Sequence, residues 1–145
     1  MRQLMILTLG VSAMAMASPV QAKALKWGAA PPMLPSGAQM AVVSGNPGAK
    51  GRFVIQLKMP ADYAVPPHSH PTDEMVRVVS GKLHYAMADK MDASSAKTLT
   101  AGHSVTMAAK MNHWVHAPAP ATIQVSGRGP FQITYVDSKD DPRNK

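Results

Sequence analysis

Apolar and polar positions alternate with a period of two in several short stretches. Phe53, Ile55 and Leu57 interleave with Val54, Gln56 and Lys58, which predicts a strand with one buried face. Met40 to Ser44 is apolar and β-prone, and Gly45-Asn46-Pro47-Gly48 closes it with turn residues. Met75 to Val79, Ser80-Gly81-Lys82 and Leu83 to Met87 together read as a hairpin. Ser104 to Met107, His113 to Ala117, Thr122 to Ser126 and Phe131 to Val136 extend the series. About eight short strands at roughly 8–12-residue spacing predict an all-β closed barrel or jelly roll. The one helical candidate, Lys90 to Lys97, is long enough for only one or two turns.

The ends differ from this body. Arg2 precedes an uncharged apolar stretch, Leu4 to Ala17, and small residues follow at Val20-Gln21-Ala22, which predicts a cleavable export signal over residues 1–22. Its ~14 apolar residues fall short of the roughly 20 that a membrane span needs. The expectation is a periplasmic or secreted protein, free of the membrane after cleavage, with one domain over residues 23–145. No twin-arginine pair precedes the apolar stretch, so export before folding is expected. Lys23 to Gly37 carries Pro31, Pro32 and Pro35 without periodicity and reads as an extended N-terminal arm anchored by Trp27 and Leu34. The tail from Asp137 is polar.

Composition narrows the chemistry. Thirteen prolines and ten glycines in 145 residues argue against a helical bundle, and the absence of cysteine excludes disulfides and thiolate ligands. The net charge of +7 has no run of consecutive Lys or Arg to concentrate it, so it predicts a basic surface suited to anionic surroundings and no nucleic-acid partner. A barrel of this size exposes strand edges, which predicts a homodimer, with the arm as a clasping element.

All six histidines, His68, His70, His84, His103, His113 and His116, lie in one part of the chain. On an extended backbone His68 and His70 point to the same face, about 6.5–7 Å apart along the strand, which suits two ligands of one ion. Glu74 follows beyond a Pro-Thr-Asp bend, and barrel closure can bring in His113. Three imidazoles and a carboxylate leave coordination positions open, as catalysis requires. Glu74 either coordinates the ion or orients a histidine from outside it.

These residues resemble the cupin superfamily. In the first family motif, G-x5-H-x-H-x(3,4)-E-x6-G, His68, His70, Glu74 and Gly81 fall in register. In the second, G-x5-P-x-G-x2-H-x3-N, Gly102 and His113 match. Asp62 replaces the opening glycine, Ala108 the proline, Lys110 the second glycine and Ala117 the asparagine. The resemblance implies a cupin jelly-roll barrel from Lys23 to Asp137 that binds one divalent transition metal. It also implies a range of chemistries, among them oxidases, dioxygenases, isomerases, decarboxylases and sugar-binding members.

Strand alternation places Trp114 and His116 outward if His113 faces in, and turns one of His84 and Tyr85 inward. Tyr85 is therefore a candidate proton relay beside Glu74. His103 follows a turn glycine and is expected in solvent. Met59, Met75, Met87, Met107 and Met111 read as core fillers ahead of soft copper ligands. A chain that acquires its metal outside the cytosol follows the Irving–Williams order more freely, which favours copper with zinc next, while the Glu74 carboxylate adds weight to iron or manganese. Copper is expected first, iron or manganese behind it, with zinc accommodated. The expected activity is an oxidoreductase using dioxygen or peroxide on a small-molecule or carbohydrate substrate. The alternatives are a non-redox lyase or isomerase and a binding protein without turnover.

Overall fold

The computed structural model describes residues 23–145, so the export signal lies outside the described residues. Eleven strands run β1 (Gly28–Ala29), β2 (Gln39–Gly45), β3 (Gly51–Met59), β4 (Tyr63–Ser69), β5 (Glu74–Ser80), β6 (Lys82–Ala86), β7 (Lys97–Thr100), β8 (Ser104–Met107), β9 (His113–Ala117), β10 (Ala121–Gly129) and β11 (Thr134–Tyr135). They form two facing antiparallel sheets, ordered β1-β2-β3-β10-β5-β8 and β11-β4-β9-β6-β7. This is the expected all-β jelly-roll barrel. Its core is built from the inward rows: Phe53, Ile55, Leu57 and Met59 of β3 meet Ile123 and Val125 of β10 and Val76 and Val78 of β5.

One expectation needs correcting. Met75 to Met87 is not a hairpin: β5 pairs with β10 and β8 in one sheet, and β6 with β9 and β7 in the other. The chain crosses between sheets at Gly81, whose φ is +78° and where a Cβ would stand 2.7 Å from the Pro120 carbonyl oxygen. Only glycine suits both the left-handed backbone and the close approach. Gly81→Ala is expected to destabilise the fold by about 2–4 kcal/mol, read as a lower urea midpoint at unchanged slope. A loss below about 1 kcal/mol would show that the corner relaxes freely.

Local chemistry explains the remaining departures. Pro130 cannot donate to a ladder and Phe131 N bonds Pro47 O at 2.6 Å, so the last strand shortens to Thr134–Tyr135. The helical candidate is a single 3-10 turn over Ala93–Ser95, capped by the Asp92 carboxylate accepting from Ser94 N at 2.8 Å.

The arm lies against its own barrel. Tyr63 Oη donates to Pro35 O at 2.6 Å and Tyr135 Oη to Met33 O at 2.7 Å, one bond on each side of Leu34. Leu34 is buried between them, and Trp27 sits under Lys58 Nζ, 4.0 Å from its ring centre. Burial pushes the Tyr63 phenol up to about 12 and raises that of Tyr135 further.

Candidate metal centre

A bulge in β4 aims the first two imidazoles. Tyr63 pairs with Ala117 and Val65 with Val115, but the next pair is His68 with His113, so β4 carries one residue more than β9. The extra residue falls at Pro66-Pro67, where neither proline could have donated to the ladder. Odd positions face inward before the bulge and even positions after it, so Val65, His68 and His70 all point into the barrel. Glu74 opens β5 on the opposite sheet and His113 opens β9. The cluster therefore joins the two sheets.

His68, His70, Glu74 and His113 are all buried, and each offers a donor atom within 4.8 Å of the others. Every histidine Nδ1 faces a main-chain carbonyl: His68 that of Pro66 at 2.7 Å, His70 that of Gln132 at 2.8 Å and His113 that of Met111 at 3.0 Å. A carbonyl only accepts, so each Nδ1 carries the proton and each Nε2 turns a lone pair inward. His70 Nε2 and His113 Nε2 lie 2.9 and 3.4 Å from Glu74 Oε2. His70 Nε2 is buried and, despite that closeness, has no aligned hydrogen bond. Nitrogen lone pairs facing a carboxylate repel unless a proton or a metal cation lies between them.

The spacing fits such a cation. With bonds of about 2.05 Å, ligand atoms at right angles lie about 2.9 Å apart and at the tetrahedral angle about 3.3 Å apart. The four residues could bind one metal ion. Without it, burial and the neighbouring His113 and His70 push His68 down to about 3. At His70 burial disfavours the charge, but the Glu74 carboxylate 2.9 Å away and the Gln132 carbonyl outweigh it and raise the pKa, favouring a shared proton where no metal is bound. At Glu74 burial is in turn outweighed by the neighbouring His113 and His70 imidazoles, which hold its carboxyl well below the usual range.

The surrounding cavity of about 30 Å³ is closed by Leu34, Val65, Phe131 and Ile133. Phe131 stacks on His70 at 5.3 Å between ring centres, and Tyr135 lies 5.9 Å from His68. Sequence reasoning placed both aromatics on a strand without assigning them to the site; the pairing of β11 beside β4 brings Tyr135 there, and Phe131 reaches the cavity from the loop before β11.

The other candidates fall elsewhere. Tyr85 packs against the core and does not line this cavity, because its strand neighbour is Val115, two residues along β9 from His113. His84 and His116 face each other on the outer surface with ring centres 5.8 Å apart. Trp114 also points outward yet is buried, since Met91 and Ala93 of the preceding loop line the same outer cleft. His103 is exposed and bonds Thr100 Oγ1 at 3.1 Å. The methionine expectation holds only in part: Met59 and Met107 fill the core, whereas Met75, Met87 and Met111 are exposed on outward strand positions and loops.

Two motif departures keep the glycine geometry. Asp62 and Lys110 stand where the two motifs have glycine, and both adopt positive φ, 61° and 63°. The loops preserve their shape without the usual residue, and Asp62 Oδ1 sits 3.5 Å from His116 Nε2.

A family model for the cupin domain matches residues 55–126. No curated protein sequence matches the chain. Among solved structures, the chain is similar to a candidate acetylacetone dioxygenase from Methylibium petroleiphilum, with 18% identity, 91% of this chain and 89% of that one covered, and a TM-score of 0.64. It is also similar to the polyketide cyclase RemF from Streptomyces resistomycificus, with 16% identity, 88% and 90% covered, and a TM-score of 0.63. A third likeness is to an RmlC-like cupin from Shewanella frigidimarina, with 15% identity, 80% and 91% covered, and a TM-score of 0.57. At these identities the likeness is one of fold, and it agrees with the family match and the motif register: the chain belongs to the cupin superfamily.

Proposed function

We propose that the chain is an exported, homodimeric, mononuclear cupin oxidoreductase that uses dioxygen or peroxide, with copper as its metal and a small organic molecule or carbohydrate as reductant. The observation carrying this reading is the inward Nε2 lone pair of each of three buried histidines, locked by a carbonyl behind each ring. A copper ion bound there supplies redox chemistry toward a small oxidant. His68, His70 and His113 would hold it through their fixed rings, and Glu74 would offset one of its charges. Leu34 and Phe131 exclude bulk water, and the space left, about 30 Å³, suits an oxidant of two or three atoms rather than an organic substrate. The apolar leader, Leu4 to Ala17, supports export. Strand β2 pairs with β1 only at Gln39 and Met40, and its exposed Val42 and Val43 support self-association along that edge.

The test loads the protein with copper or zinc and follows dioxygen and peroxide consumption with ascorbate. Wild type with copper should consume the oxidant, and His68→Ala and the zinc form should not. Equal rates in wild type and variant, or none with the site fully loaded, defeat the redox reading. Organic turnover that zinc supports equally well moves the protein to lyase or isomerase chemistry.

A further inference from the structure

The space beside the His–Glu cluster, about 30 Å³, is small for an organic reductant. A cleft of about 460 Å³ on the outer face of the six-stranded sheet is large enough for a small molecule. Two arginines dominate it. Arg52 and Arg128 are directly opposed across β3 and β10, which puts their Cβ atoms about 4.5–5.5 Å apart on one face. Like charges so placed repel, yet neither guanidinium has a carboxylate within ion-pair distance among the described residues. Asp73, the acidic residue in the cleft, has its Oδ1 engaged by Ala109 N at 2.8 Å. Hydroxyls of Thr106 and Ser126 add donors, Thr72 Oγ1 donates to the Arg128 carbonyl at 3.0 Å, and Val54 and Met75 give an apolar floor.

A second, narrower crevice lies between the cleft and the centre. The β10–β5 ladder stops at Ser126 opposite Met75, and beyond it the strands part. In that gap runs a narrow crevice of about 10 Å³ that shares Thr72, Asp73, Gly127 and Arg128 with the cleft and reaches His70 and Glu74. Gly127 keeps it open: a Cβ there would lie 3.3 Å from Phe53 Cζ and 3.4 Å from Asp73 O.

We infer that Arg52 and Arg128 dock the acid group of a small organic acid with an apolar body, holding it at the outer end of a crevice that leads to the His–Glu centre. The paired guanidinium forks supply charge-assisted bonds and relieve their own repulsion when an oxyanion lies between them. The basic net charge, +7 over the full sequence, favours anions in general. This inference rests on reading the His–Glu cluster as the reacting centre.

Benzoate is the probe, with benzamide as its neutral counterpart and inorganic phosphate as an oxyanion without an apolar body. Binding is measured by ligand-observed NMR on zinc-loaded and copper(II)-loaded full-length protein. Wild type should retain benzoate well above benzamide and phosphate, and the double variant Arg52→Gln/Arg128→Gln should bind it at least about tenfold more weakly. In the copper(II) form benzoate signals should broaden, and electron paramagnetic resonance reports separately whether copper occupies the site. Tighter binding of phosphate than benzoate would overturn the organic-acid assignment in favour of an inorganic anion site. Wild-type affinity in the double variant, or sharp benzoate signals with copper demonstrably loaded, would overturn the docking itself. Absence of a copper signal in wild type would instead sink the metal centre, whatever benzoate does.

Discussion

His113→Ala is expected to lower affinity for a divalent transition metal by more than about 100-fold, beyond the 10–100-fold that follows loss of a group merely supporting a ligand. His113 is 1% exposed, sits opposite His68 in the ladder, and its Nδ1 is already occupied by the Met111 carbonyl. Its remaining nitrogen has no other task than the cluster. The exposed His103→Ala is the matched control and should bind metal as wild type does. Equilibrium dialysis against a competing chelator checks both, and a circular dichroism spectrum shows whether the barrel has survived the truncation. Glu74→Gln then separates two roles for the carboxylate: a fall within 10–100-fold fits a group orienting a histidine, a larger one fits a ligand. Stoichiometric, wild-type binding by His113→Ala would remove the metal centre from the protein.

Chelation should also cost the fold. An ion bound only by the folded chain adds RT ln(1 + [L]/Kd), about 4 kcal/mol at a thousandfold excess over Kd. The bare cluster brings the His70 and His113 Nε2 atoms to 2.9 and 3.4 Å from the Glu74 oxygen, a buried contact that only a proton or an ion between them makes favourable. The melting temperature of metal-loaded protein should therefore drop by more than about 10 °C on adding a strong chelator. His113→Ala should show no such drop. Identical melting curves with and without chelator would mean that the four side chains hold no ion tightly.

The four candidate ligands were legible in the sequence because their spacing carries physical meaning. His68 and His70 share a face by strand periodicity, and Glu74 follows at a distance that one bend spans. Strand positions were equally legible wherever alternation was clean, as in β3. Sheet membership was not: Ser80-Gly81-Lys82 has the composition of a hairpin turn, and nothing local says that the flanking strands part at a positive-φ glycine lodged against Pro120. Nor could alternation foresee the phase change in β4, since a run containing Pro66 and Pro67 looks unlike a strand at all. Trp114 shows the third kind of failure. Alternation turned it outward, as found, but burial came from a loop whose path depends on tertiary packing.

The two phenol bonds that flank Leu34 bear on when the arm can let go. Tyr63 ionises in the free chain near 10 and in the fold near 12, so its hold is intact below the first value and fades between them. Tyr135 is shifted in the same direction and further. Acidification, neutral surroundings and mild alkali therefore leave the fastening untouched. Whatever uncovers the interior must do so by mechanical or thermal loosening of the Met33–Pro35 segment, since no proton exchange near neutrality can unlatch it.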